Sequence, residues 1–314
     1  MVVTSARMCG RVALCDRDRA RAASGVAREC GKRRDDALPP VGSRANASPG
    51  CEVTCARVDR KRGREDELEP GAASCALQEV TWGITRERRE GGVVTEYDRQ
   101  FNARAEALCG REGEAGALSE AARAARRSGG RGVMYVEGFF EWREEGPKGL
   151  AVKQPYFVRR ADGGALALGA VVSQVGDRKK IDEGEVASYL NDLEAAIVTI
   201  SSRGGDLAWL HDRMPLIIAN ERDFNRWLFD DWETMAERRK AADYNGLLRW
   251  DPVSTKVNLA AYNGDNATKP VKREVEKNTG SVTALFAAAT AKKIKVQTEV
   301  DGDSAAEVSV ISLD

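Results

Sequence analysis

Between residues 53 and 219 the sequence returns seven times to short stretches rich in Val, Ile, Ala and aromatic residues. They read VTCARV (53–58), CALQEVTWGI (75–84), GVMYVEGFFEW (132–142), PYFVRR (155–160), ALALGAVV (165–172), AAIVTIS (195–201) and MPLIIA (214–219). Most are bounded by Gly, Pro or Asp, which predicts strands rather than helices. Helical patterns interrupt them only at 119–127, 221–229 and 231–243. Strands that follow one another without a regular helix between them do not build βαβ units. The expected class is therefore α+β, with a curved, largely antiparallel sheet, a barrel-like core and flanking helices.

At 314 residues, with 42% hydrophobic and 31% charged residues, the chain has the composition of a soluble globular protein. No apolar run reaches the ~18 residues of a membrane span, and MVVTSARMCGR lacks the apolar core of a secretory signal. The expectation is a protein that is not secreted and has no membrane partner. The seven cysteines, at 9, 15, 30, 51, 55, 75 and 109, are odd in number and read as thiols. A four-thiolate zinc site from Cys51, Cys55, Cys75 and Cys109 lacks a tight spacing, so no metal and no cofactor is expected. Net charge is zero, which by itself points to no nucleic acid. Locally, however, residues 1–64 carry 15 Lys/Arg against 7 Asp/Glu, and RERR follows at 86–89. Each such run taken alone reads first as a solvated face.

The chain holds one histidine, His211, in LHDRMP (210–215), so any imidazole chemistry must use it. In EGFFEW (137–142) Glu141 sits among aromatic residues, a setting that removes water from a carboxyl and favours its neutral form. FNARAE (101–106) offers Asn102 two residues before Arg104 and four before Glu106; on an extended strand the three would share one face. Each of these has a purely structural alternative: a satisfied core histidine, a solvent-facing edge glutamate, an amide tied to the backbone.

Cys9, in MCGR (8–11), adds a different chemistry. An α-amine has a pKa of about 7.7–8.0 against ~10.4 for lysine, so it is the amine most available as a neutral nucleophile near pH 7. If Cys9 were the first residue, amine and thiol would form a 1,2-aminothiol. That pair condenses with an aldehyde to an imine, and the thiol then closes on the imine carbon to give a thiazolidine. An internal cysteine has no free amine and cannot do this.

MCGR, SRANASPG (43–50), WG (82–83), FNARAE, EGFFEW, KQPYFV (153–158), LHDRMP, RWL (226–228) and DPVS (251–254) occur in this order. In that succession the chain resembles the SOS-response-associated peptidase family, the abasic-site processing proteins, over roughly residues 8–262. The resemblance implies a protein that binds single-stranded DNA and links itself covalently to the ring-opened sugar of an abasic site, shielding it from strand cleavage. It implies Cys9 as the crosslinking residue, Asn102 orienting its amine, Glu141 as acid and base, and His211 holding the opened sugar's hydroxyl. Arg11, Arg104 and Arg213 would contact phosphate or sugar, Asn46 would lie among the DNA-binding residues, and Trp82 would support a base beside the lesion. The alternatives are a cysteine-type autopeptidase acting at Met8–Cys9 with Cys9 and His211, and a non-covalent reader of modified or single-stranded DNA.

The chain departs from that pattern in three places. MVVTSAR precedes Met8, so the α-amine of Cys9 is exposed only if this extension is removed or never translated. WG continues as ITRERREGG where relatives carry a Pro-containing segment and a further Trp, and residues 15–75 match only at SRANASPG. Residues 1–7 are thus expected as an extension, 8–262 as the domain and 263–314 as a flexible tail and a monomer as the oligomeric state. Within the tail, TGSVTALFAA (279–288) resembles a degraded sliding-clamp box and VSVISLD (308–314) a SUMO-interacting strand. These imply a clamp or SUMO partner and a nuclear site in a eukaryote, as against the cytoplasm or nucleoid and a featureless tail.

Overall fold

In the computed structural model the described residues are 10–24, 44–58, 75–90, 93–109, 120–126, 130–147, 151–174 and 193–271. Cys9, the basic run at 59–64 and both tail motifs lie outside them. In chain order the elements are β1 (Arg11–Leu14), α1 (Arg17–Ser24), β2 (Glu52–Val58), β3 (Cys75–Trp82), β4 (Ile84–Glu90), β5 (Val93–Gln100), β6 (Asn102–Arg104), α2 (Ala105–Cys109) and α3 (Glu120–Arg126). There follow β7 (Arg131–Glu145), β8 (Val152–Arg160), β9 (Leu166–Gln174), β10 (Leu193–Ser201), β11 (Arg213–Pro215), α4 (Glu221–Leu228), α5 (Trp232–Arg238) and β12 (Leu248–Pro252). Short 3-10 turns lie at Ala241–Tyr244 and Thr255–Asn258.

Strand pairing closes a ring: β7 pairs β2, β2 pairs β3, β3 pairs β10, β10 pairs β9, and β9 returns to β7. The expected barrel-like, largely antiparallel core is therefore present, with β10 parallel to β3 and β6 as the exceptions. The long β7 makes closure possible by pairing different partners along its two ends. Arg131–Val136 pairs β9 in the barrel, and Phe139–Glu145 pairs β8, which carries β12 outward. Gly138 marks the handover. A Cβ there would lie 2.3 Å from the Val158 carbonyl oxygen and 2.6 Å from the Phe157 ring, so only glycine lets the two strands approach.

The barrel strands do not alternate buried and exposed residues. Glu194 to Ile200 on β10 are all buried, because the barrel fills one face and helices cover the other. α3 packs on β9, α2 on β10 and α4 on β7. Arg131 ties this layer down: Nε donates to the Trp227 carbonyl at 2.8 Å, Nη2 to Leu228 at 2.9 Å and Nη1 to Ala125 at 2.8 Å. One guanidinium thus satisfies carbonyls at the ends of two helices, where a cation also meets the favourable end of the helix dipole.

Two expectations are corrected. FNARAE is not one extended segment: β6 ends at Arg104 and α2 begins at Ala105, so Glu106 lies on a helix. The folded body also runs past 262. Ala267 is fully buried, Val253 bridges Pro270, and Val271 donates its N–H to the Pro252 carbonyl at 2.9 Å. Among the described residues no helix is long and apolar enough to cross a membrane.

Candidate functional site

The C-terminal half of β10 gathers several of the expected polar residues. On one edge β6 runs parallel to it, with Asn102 opposite Ile197 and Arg104 opposite Thr199; on the other edge β11 sets Arg213 opposite Ser201. Residues 197, 199 and 201 alternate along the strand, so their partners Asn102, Arg104 and Arg213 belong to one face. Arg213 reaches across that face. Its Nη2 donates to the Thr199 carbonyl at 2.6 Å and to Thr199 Oγ1 at 3.2 Å. Its two terminal nitrogens also meet Glu106, Nη1 to Oε1 at 2.6 Å and Nη2 to Oε2 at 2.9 Å.

His211 enters from the turn after Leu207, with its side chain 10% exposed. The turn is pinned through the backbone: His211 N–H donates to the Leu207 carbonyl at 3.2 Å, and its carbonyl accepts from the Ser202 hydroxyl. The imidazole Nδ1 accepts the Arg213 backbone N–H at 3.0 Å and lies 2.9 Å from Asp212 Oδ1. Burial disfavours ionisation of Glu106, but the Arg213 hydrogen bond and the charges of Arg213 and Arg104 outweigh it and hold the carboxyl below the usual glutamate range. Beside Glu106 opens a groove of about 610 Å³ whose walls include Ser201, Arg203, Glu237 and Lys240.

Glu141 lies on β7 and is 5% exposed, with Oε1 accepting the Trp142 N–H at 3.2 Å. Its register partner is Tyr156, whose ring packs edge-on against Trp209 at 5.0 Å. Directly opposed residues share a face, so the segment that leads through Trp209 to His211 covers the Glu141 face of the sheet. Arg143, two residues on and on the same face, stands 5.1 Å from the Trp209 ring centre. β1 pairs with β7 just here: Arg11 is opposite Phe140, so the ladder leads from Arg11 back through Gly10 toward Glu141. A Cβ at Gly10 would meet no atom within 4 Å.

Three expected DNA contacts are committed elsewhere. Arg11 follows Phe140, not Glu141, onto the opposite face. There its Nη1 donates to Asn46 Oδ1 at 3.0 Å and to the Val257 carbonyl at 3.1 Å, and burial lowers its pKa. Asn46 is 4% exposed, and its Nδ2 serves the carbonyls of Val257, Leu259 and Tyr262 at 3.3, 3.2 and 2.8 Å. The Trp82 ring has no exposed surface; its Nε1–H donates to the Phe101 carbonyl at 3.0 Å and Phe101 packs edge-on at 6.1 Å. A ring without an accessible face cannot stack on a base, so the place of Trp82 is in the core. Sequence reading missed Glu106 as the partner of Arg213 and Trp209 as the link between Glu141 and His211. The only local signal was their membership of FNARAE and their position beside LHDRMP.

Burial pushes the thiols of Cys15, Cys55 and Cys109 up to about 12 and that of Cys51 up to about 11. Those four are inert thiols near pH 7. Among the described residues no cluster of three or more His, Cys, Asp or Glu side chains could hold a metal.

The fold and site define an α+β barrel protein, with amide, imidazole and arginines gathered at the end of one strand and a buried carboxyl on the strand beside β1. The model of the SOS response associated peptidase (SRAP) family matches residues 8–260, and the chain belongs to that family. It is 31% identical over 144 residues to the abasic site processing protein YedK of Escherichia coli, covering 45% of this chain and 58% of that one. To the abasic site processing protein YMR114C of Saccharomyces cerevisiae it is 24% identical over 148 residues, covering 45% and 36%. The matched stretches thus span less than two thirds of either relative. Among solved structures, a phage-related protein from Bordetella bronchiseptica has a TM-score of 0.44 at 20% identity, covering 79% of this chain and 95% of that one. A Bacteroides thetaiotaomicron protein has a TM-score of 0.43 at 17% identity, covering 62% and 77%.

Proposed function

We propose that this protein binds single-stranded DNA and captures abasic sites covalently through Cys9 as the first residue of the processed chain. Family membership and the names of its two curated relatives support a role at abasic sites. The observation that carries the covalent reading is the β1–β7 register, which directs the residue following Cys9 toward the buried carboxyl of Glu141.

The chemistry balances with the loss of one water. The α-amine of Cys9 adds to the C1 aldehyde of the ring-opened sugar; the carbinolamine loses its hydroxyl as water to leave an imine; the thiol adds to the imine carbon and its proton passes to nitrogen. Glu141, removed from solvent, gives a proton to the departing hydroxyl and takes one from the adding nucleophile. His211, whose ring is oriented at Nδ1 by the Arg213 N–H, holds the sugar's freed hydroxyl. Asn102 orients the amine. Arg104 and Arg213 grip the flanking phosphates, in contacts that position the strand without reading bases. Affinity therefore falls with salt and varies little with sequence.

The test is intact-mass spectrometry of the full chain after incubation with a single-stranded oligonucleotide carrying one abasic site. The expected product begins at Cys9 and is heavier by the oligonucleotide less one water. Cys9→Ala abolishes it while binding of intact strand persists; an adduct of undiminished yield in that variant would sink the proposal. Cleavage at Met8–Cys9 without an adduct marks the autopeptidase instead, and equal affinity for intact and abasic strands without covalent product marks the reader.

A further inference from the structure

We infer that Glu106 is a positioning residue that holds Arg213 in place and competes with a DNA phosphate for its guanidinium. The inference rests on the reading above, in which Arg213 meets the strand.

Three observations meet at this pair. The Arg213 fork is closed by the two Glu106 oxygens at 2.6 and 2.9 Å, the planar bidentate geometry that a phosphate would otherwise adopt with an arginine. The two partners are unequally placed: the Arg213 side chain is 14% exposed and that of Glu106 is 62% exposed. A carboxylate so open to solvent is within reach of a competing anion. The third nitrogen of Arg213, Nε, is buried without a hydrogen-bond partner, so the carboxylate leaves this guanidinium one donor short. The paired state is thus incompletely satisfied at the arginine.

Glu106 also acts past Arg213. The Arg213 backbone N–H is what His211 Nδ1 accepts, and its side chain bonds Thr199 on β10, the register partner of Arg104. Holding the guanidinium against β10 therefore holds the residue whose N–H fixes the imidazole. Glu106 keeps its charge at neutral pH, since its carboxyl is held below the usual range. The two effects have opposite signs for the DNA. Competition weakens binding, and positioning speeds the reaction once the strand is bound.

The measurement is made on the full chain, processed to Cys9, with two probes: an intact single-stranded thymidine oligomer and the same oligomer with one abasic site. Glu106→Gln removes the charge and keeps the shape. It is expected to bind the intact oligomer about three- to tenfold more tightly at low salt, with a log–log salt slope steeper by about 0.7, the value for one more phosphate contact on a single strand. At saturating abasic DNA its crosslinking rate is expected to fall about tenfold. A merely structural role moves both readouts toward loss or neither, so weaker or unchanged binding of the intact strand by Glu106→Gln overturns the inference. Glu106→Asp, which keeps the charge, is expected to return the slope to the wild-type value. Glu237→Gln removes a carboxylate from the same groove that makes no bond to Arg213. If it steepens the slope equally, a general field explains the gain and the inference fails. The binding arm uses intact DNA, so a wild-type chain that forms no adduct overturns the crosslinking reading and leaves the competition to be decided by the salt slope.

Discussion

The two regions that hold the expected polar residues are built differently. On the Arg11 side of β7, polar side chains are consumed by backbone: Asn46 serves three carbonyls of the 257–262 segment, and Arg11 serves Asn46 and the Val257 carbonyl. At the end of β10, side chains hold one another: Glu106 holds Arg213, and Arg213 in turn fixes His211 through its N–H. A backbone carbonyl cannot leave its bond without unfolding its segment, whereas an exposed carboxylate can be exchanged for a ligand. The first region is therefore expected to set stability and the second to set reactivity.

Substitutions can break that contrast. The largest effect is expected from Glu141→Gln, which keeps the shape and the bond to the Trp142 N–H but removes the carboxyl proposed to transfer protons. Crosslinking should slow by about 10²- to 10⁴-fold with little change in melting temperature, and a rate within threefold of wild type would remove Glu141 from the mechanism. Next comes Asn46→Ala, which strands buried carbonyls and the partner of Arg11. It should cost roughly 1–3 kcal/mol, a fall in melting temperature on the order of 2–4 °C per kcal/mol. Proteolysis should then begin within 257–271, while the surviving folded protein crosslinks at the normal rate.

Tyr244→Phe sharpens the same side. The Tyr244 hydroxyl donates to the Ile217 carbonyl at 2.8 Å and accepts its N–H at 3.2 Å, in the segment that follows LHDRMP. Losing both bonds is expected to cost about 1–2 kcal/mol, read in denaturant melts. The smallest effect concerns pH. Glu106 has a lowered folded pKa, so the stability from its pair is present above the unfolded value near ~4.3 and lost as pH falls through the folded value. A carbon-detected titration of its carboxyl should find the midpoint below that reference in the wild type and back near it in Arg213→Ala. A midpoint at or above it in the wild type would contradict the pair.

Several elements were legible because their signal is local. GVMYVEGFFEW and AAIVTIS are rich in β-branched, aromatic or small residues, and they became β7 and β10. The helical pattern at 221–229 became α4, whose N-terminus Asn220 caps by accepting the N–H of Asp223. The β4–β5 hairpin was not read as strands, because ITRERRE has no apolar face. Its register sets Arg86 opposite Asp98, an ion pair at 3.9 Å that appears only when both strands are aligned. β1 and β6 are too short, at four and three residues, to carry a period, and each is fixed by a partner distant in the chain.

By itself the sequence determined which chemistries this chain can hold: one imidazole, an amide and an arginine two residues apart, a carboxyl among aromatics, and a cysteine behind a start-like methionine. Residue identity suffices for that. Only the tertiary structure decided which of them meet. It sent Trp82 into the core, turned Asn46 and Arg11 to the backbone, broke FNARAE into a strand and a helix, and brought Glu106 to Arg213. These outcomes depend on non-local strand pairing, where a shift of one residue moves a side chain to the other face, and no local pattern encodes that register.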